Sequence, residues 1–211
     1  FDESHYINVN DSRQMTIDNW GTADGGNSCI LVPVATVDLT EALVKMGWHF
    51  NASTGHLIIA KDYSYNNNTD YPWYAYREQI KSVEIKEGVN MIGAYALYGC
   101  SNLQSITIPA SINAMGTYAF LYCYNLTEVH ISSMDAWMNI DFLGEYANPL
   151  VYAHDLYLNG KLITNLVIPN HVSKIKNYIF DHCNLTSVTL HSGVTSLGTG
   201  AFSNCMSLTN V

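Results

Sequence analysis

Charge is scarce in this 211-residue chain: 13% of its residues are Asp, Glu, Lys or Arg, and only 9 are Lys or Arg. Nucleic acids and anionic membrane surfaces are held by clustered cations. No such cluster occurs, since residues 1–79 carry 4 basic against 10 acidic side chains and residues 80–211 carry 5 against 8. With this acidic balance, net charge −9, both are poor partners and nucleic-acid binding is close to excluded. Long apolar runs are also missing. The longest tidy one, Cys29 to Ala35, is strand-sized and far short of a membrane-spanning helix. The five cysteines form no C-x-x-C pair and no His/Cys set with zinc spacing, so neither a metal nor a cofactor is expected. Gly25-Gly26 lacks the Lys-Ser/Thr that completes a phosphate loop. The eight histidines show no triad or ligand spacing. Asp135, Asp141 and Glu145 lie close in sequence, but glycoside hydrolysis needs two carboxylates facing each other across a walled cleft, so these read as solvated charges. An enzyme is not expected.

What the chain does have is repetition. Residues 80–103 (IKSVEIKEGVNMIGAYALYGCSNL), 103–126 (LQSITIPASINAMGTYAFLYCYNL) and 185–208 (LTSVTLHSGVTSLGTGAFSNCMSL) are one phrase, and 163–185 is a damaged copy. Gly93 and Gly116 are 23 apart, as are Cys100 and Cys123, while Cys183 and Cys205 are 22 apart. Self-similarity at this period marks a leucine-rich type of solenoid. Each copy opens on an apolar-x-x-apolar-x-apolar strand (Ile80/Val83/Ile85, Leu103/Ile106/Ile108, Leu126/Val129/Ile131), whose alternate residues face solvent. The outward positions are expected to align as two columns, Ser82, Ser105, Glu128, Asn165, Ser187, Asn210 and, beside it, Glu84, Thr107, His130, Val167, Thr189. An Ala-Phe…Cys segment then supplies a bulky plug and a small sulfur. Cys100, Cys123, Cys183 and Cys205 share one repeat position and read as a column of free buried thiols, although adjacent repeats would not forbid a Cys100–Cys123 bond.

These residues resemble the BspA-type leucine-rich repeats, the match being to SVxIPxxVxxIGxxAFxxCxxLxxVxI over residues 80–211. The resemblance implies a β-rich solenoid with a repeat period of 22–23 and short parallel strands, preceded by a small α+β N-terminal cap. It also implies an extracellular or cell-surface, adhesin-like bacterial protein that binds host matrix proteins or other cells. The repeat consensus is a packing recipe and names no catalytic residue.

In chain order, residues 1–46 read as short strands and a helix over TEALVKMG, either a module or part of the cap. Residues 47–79 read as a β-hairpin and an aromatic lead-in, with Trp48, Trp73 and Tyr76 covering the first repeat or offering a platform to a ligand. Residues 126–162 read as one enlarged repeat containing Asp135–Ile140 as a helical turn and His154–Leu158 as a strand that reverses at Asn159-Gly160. Insertions in solenoids map to loops on one face, often the binding face. The candidate binding residues are therefore Glu128, His130, Trp137, Tyr146, Tyr152 and Tyr157; the aromatics among them either fill the widened repeat or form the contact surface. The sequons at Asn125 and Asn184 lie inside the repeat phrase Asn-Leu-Thr and read as consensus spelling, and the chain reads as a piece of a longer or processed polypeptide. Two function classes remain: a protein-binding adhesin module, or a spacer or accessory module with carbohydrate contacts through exposed Tyr and Trp.

Overall fold

The computed structural model describes residues 47–144 and 146–211; the strands and helix expected within 1–46 lie outside the described residues. The described chain opens with a hairpin, β1 (Trp48–Asn51) and β2 (His56–Ile59), closed by a turn in which the Asn51 carbonyl accepts from the Gly55 N–H at 2.8 Å. It continues through β3 (Ser82–Ile85), β5 (Ser105–Ile108) and β7 (Glu128–Ile131), which form a parallel ladder beginning on β2. A second ladder joins the two-residue strands β4 (Met91–Ile92), β6 (Ala114–Met115) and β8 (Asp141–Phe142). Each of the three units opening with β3, β5 and β7 thus contributes one strand to each of these two ladders, and the apolar rows between them close on one core. Ile106, Leu103, Met115, Ala119, Phe120 and Cys123 are all 0% exposed. At roughly 25 cal/mol per Å² of apolar surface removed from water, this stacking is the main stabilising contribution.

Polar side chains close the gaps between repeats. The Asn102 amide donates to the Glu78 carbonyl and the Asn125 amide to the Ser101 carbonyl, both at 2.7 Å. That use gives the Asn of the Asn-Leu-Thr phrase an internal role. Gly116 is required by close approach, because a Cβ there would stand 2.4 Å from the Ala94 nitrogen. The four cysteines among the described residues are free, with Cys100, Cys123 and Cys183 buried and Cys205 half-buried.

The region after β7 departs from the regular phrase. Ser133 caps helix α1 (Met134–Met138) by accepting from the Ala136 N–H at 3.2 Å, and the helix buries Trp137 and Met138. After β8 comes the short helix α2 (Leu150–Ala153), then β9 (Asp155–Leu158) and β10 (Lys161–Leu162), which form a hairpin. The register of β9 corrects the expected columns. Asp155 pairs with Glu128 and Tyr157 with His130, where Asn165 and Val167 were expected. The reason is backbone pairing: β9 takes the open edge of β7 only 27 residues on, and β10 then folds back antiparallel and ends the ladder. Asn165 and Val167 instead open a new ladder, β11 (Asn165–Val167) on β13 (Ser187–Thr189), accompanied by β12 (Lys174–Ile175) on β14 (Ser196–Leu197). Among the described residues no ladder joins these four strands to the seven-stranded sheet.

At the other end, the β1–β2 hairpin extends that sheet, and Trp73, 1% exposed, donates its indole N–H to the Ala96 carbonyl at 2.7 Å. Trp48, Tyr63 and Tyr71 surround Trp73 at centroid distances of 6.2, 5.1 and 5.2 Å. These aromatics cover the apolar rows of the first repeat.

Candidate interaction surface

Alternation along β2, β3, β5, β7 and β9 sends every second side chain to solvent, and parallel pairing sets those side chains in rows across the sheet. One row runs His56, Ser82, Ser105, Glu128, Asp155; the next runs Ile58, Glu84, Thr107, His130, Tyr157. The middle of the face is low and uncharged, with Ser105 and Thr107. Charged side chains rise on both flanks.

On one flank His56 Nδ1 lies 2.8 Å from the Ser82 hydroxyl and Nε2 lies 3.7 Å from Glu84, while Lys86 Nζ pairs with the other Glu84 oxygen at 2.5 Å. On the opposite flank His130 Nε2 lies 2.9 Å from Glu128 Oε2, and the His130 ring stacks on Tyr157 at 4.9 Å and 25°. Burial first, then the Asp155 and Glu128 carboxylates, push the Tyr157 phenol above its ordinary pKa, so it stays a neutral donor at physiological pH. Between the flanks, at the C-terminal ends of β3, β5 and β7, lies an open concavity of about 500 Å³. Ile85, Ile108 and Ile131 line it together with Lys86, His130 and the Asn159-Gly160 turn.

The six sequence-predicted residues separate into three groups. Glu128, His130 and Tyr157 come together on this face. Trp137 is 1% exposed and donates to the Ile179 carbonyl at 3.1 Å, so it fills the core and clips the second block of strands to the first. Tyr146 and Tyr152 stack on each other at 6.1 Å within a separate group of tyrosines. Sequence reasoning missed His56, Lys86 and the Asn159-Gly160 turn as components of the face. The available signal was that the β2 spelling HLII resembles a repeat strand and precedes one by 26 residues, a little more than the repeat period.

The arrangement presents both signs of charge, an apolar floor and a stacked imidazole–phenol pair. It suits recognition by complementarity. Among the described residues no group of three or more His, Cys, Asp or Glu could hold a metal ion, and no helix is long and apolar enough to cross a membrane.

Residues 67–146 and 154–211 match the family described as the BspA type leucine rich repeat region, in 6 copies. No curated protein matches the chain. Among solved structures, a leucine-rich repeat protein from Eubacterium ventriosum is similar at 22% identity over 73% of this chain and 38% of that one, with a TM-score of 0.45. A leucine rich cell surface protein from Faecalibacterium prausnitzii is similar at 21% identity over 77% of this chain and 51% of that one, with a TM-score of 0.37. A leucine-rich repeat protein of T. pallidum is similar at 19% identity over 76% and 65% of the two chains, with a TM-score of 0.32. This chain therefore spans only a fraction of the length of each.

Proposed function

Because the chain belongs to the BspA-type leucine-rich repeat family, we propose that it is a non-catalytic protein-interaction module of a bacterial surface protein, working outside the cell in an adhesin-like role. Its repeats stack as a solenoid over 80–211, with residues 47–79 as the cap. The partner is another protein, of a host matrix or a cell surface, and it lies across β3, β5, β7 and β9 with Glu128, His130 and Tyr157 as its main contacts.

One observation carries this reading: the outward rows continue across five hydrogen-bonded strands, with small residues in the centre and charge on both sides. A rigid, shallow, mixed-charge face of this kind accepts a folded surface or an extended segment without rearrangement, which keeps the ordering cost of binding low.

The test is capture of the purified chain by immobilised matrix proteins, compared with the triple variant Glu128→Ala/His130→Ala/Tyr157→Ala. All three side chains are partly exposed, so the variant is expected to fold. Loss of about tenfold or more in affinity is the expected result. Capture of the variant with wild-type affinity would sink the assignment. Deleting residues 135–158 is unsuitable as a test, because it removes the core side chain of Trp137 and strand β9 together.

A further inference from the structure

The tyrosines form a second surface that the protein-binding reading does not use. Tyr95, Tyr118 and Tyr146 each stand two residues after the glycines Gly93, Gly116 and Gly144, just beyond the second ladder. Their backbones are left-handed, with φ of 60°, 58° and 51°. Tyr178 repeats the feature at φ 57°, while the last repeat carries Gly200 at φ 63° in the same place. Glycine adopts that conformation freely, whereas a bulky L-residue is strained in it. Four successive repeats nonetheless hold tyrosine there. Backbone strain of this kind, kept repeat after repeat, points to a use for the side chain.

A second set of rings lies beside the first, namely Tyr98, Tyr122, Tyr124 and Tyr152. The two sets are joined in one connected layer. Tyr95 meets Tyr98 at 5.9 Å and Tyr118 at 5.4 Å, and Tyr98 meets Tyr122 at 5.2 Å. Tyr124 meets Tyr152 at 5.8 Å, and Tyr152 meets Tyr146 at 6.1 Å. The Tyr122 N–H donates to the Tyr152 hydroxyl at 3.2 Å, fixing that corner of the layer. Tyr122, Tyr124 and Tyr146 are 41%, 65% and 39% exposed, so the layer is open to solvent.

Charge decides what this layer fits. The three segments that build it, 94–102, 117–125 and 146–153, contain no Asp, Glu, Lys or Arg, in a chain of net charge −9. Burial and then the Tyr122 ring raise the Tyr98 phenol above its ordinary pKa, and burial raises Tyr152 against the opposing hydrogen bond from the Tyr122 N–H. Arg77 stands at the border, but it is taken up by Glu78 at 2.9 Å and by the Tyr74 ring at 4.4 Å, and Glu145 precedes Tyr146 in sequence. What the layer offers is ring surface with an electron-rich face, phenol hydroxyls and the polar side chains of Ser101, Thr117 and Asn125, repeated at the spacing of stacked strands. A nucleic acid or an acidic glycan would find no cation there and would be repelled by the net charge. A chain of uncharged sugar rings, whose C–H faces lie on aromatic rings while their hydroxyls reach phenols and amides, meets all these features. We propose that the tyrosine layer binds a neutral polysaccharide running along the stacking direction of the repeats.

The test is affinity electrophoresis of the 211-residue chain through gels containing one neutral polysaccharide each (starch, laminarin, xyloglucan), with hyaluronan as the acidic control. The variants are Tyr122→Gly/Tyr124→Ala, in which glycine suits the left-handed backbone at φ 69°, and Glu128→Ala/His130→Ala on the strand face. Retardation by at least one neutral polysaccharide is expected, weakened about tenfold or more by losing the two rings. It should be unchanged by the strand-face variant, and the melting temperatures of both variants should stay near wild type. Four results would overturn the proposal: no retardation in any neutral gel, equal retardation by hyaluronan, retardation that survives loss of the rings, or loss of matrix-protein capture on removing the rings without any polysaccharide effect. Because the strand-face variant is scored separately, failure here leaves the protein-binding reading standing, and the reverse also holds.

Discussion

The same phrase is spelled inside the repeat array and in its last described repeat, and does different physical work in each. In the repeat ending at Leu126, Phe120 and Cys123 are 0% exposed and Leu126 is 1% exposed. In the repeat ending at Leu208, the equivalent Phe202, Cys205 and Leu208 are only half-buried, and Met206 is 90% exposed. Strand length follows the same trend, with β5 and β7 four residues long and β11 and β13 three. Burial is a property of the stack, supplied to each repeat by the repeats on either side. A consensus residue has a place in the core only to the extent that a neighbour covers it.

The comparison can be broken most directly by truncating the plug in both places. Phe120→Ala should cost about 3–5 kcal/mol, the range for a fully buried phenylalanine, while Phe202→Ala should cost clearly less because some of its surface is already wet. Urea unfolding of the two variants measures the difference, and equal losses would mean that neighbours do not set the value of the plug. A smaller effect is expected where the two blocks of strands meet. Trp137→Phe keeps an aromatic ring but removes the donor to the Ile179 carbonyl, and should cost about 1–3 kcal/mol. Amide exchange should then speed up in β11 to β14 and stay slow in β3, β5 and β7; uniform acceleration would contradict a local clip.

The smallest effect concerns pH. Burial pushes the thiols of Cys123 and Cys183 up to about 12, and it pushes Cys100 well up and Cys205 in the same direction. The Tyr71 phenol, also buried, rises to about 12. The folded chain therefore holds these protons more tightly than the unfolded chain does. Their contribution is complete below the unfolded thiol pKa of about 8.5 and is lost as pH rises from there toward 12. Urea midpoints should fall over that alkaline range. Cys123→Ala should flatten the slope more than Cys205→Ala; a profile flat in wild type, or flattened equally by the two, would argue against the difference in burial.

Much of the fold is legible in the residues, for identifiable reasons. The apolar rows Val83/Ile85, Ile106/Ile108 and Val129/Ile131 repeat with the period of their burial, and all six are at most 5% exposed. The Trp48–Ile59 hairpin, the turn of helix after Ser133 and the reversal at Asn159-Gly160 are marked by local spelling. The alignment of Asp155 and Tyr157 with β7 is not marked in this way, because DLYL lacks the repeat's lead-in and its place is decided by which strand edge is open. Trp137 illustrates a second limit. An aromatic in an insertion looks the same in sequence whether it faces solvent or a carbonyl 42 residues away. The tyrosine layer illustrates a third. Tyr95 and Tyr118 are 23 apart and visible as a pair, but the left-handed backbone beneath them and the contacts between rows exist only once the repeats are stacked.

The antiparallel turn-back of β10 has a mechanical consequence. Within β2 to β9 the load between neighbouring repeats is shared by a continuous ladder of backbone hydrogen bonds, which must shear together. Across the junction to β11 to β14, side-chain hydrogen bonds from Trp137, Asn148, His154, Lys176 and Asn184, with the backbone bond from the Asn184 N–H to the His154 carbonyl, stand in place of a ladder. Side-chain bonds of this sort rupture singly, each without help from the next. Pulled along its length, the chain should yield first at this junction, which gives way at a lower force than the one needed to shear the strand face around His130.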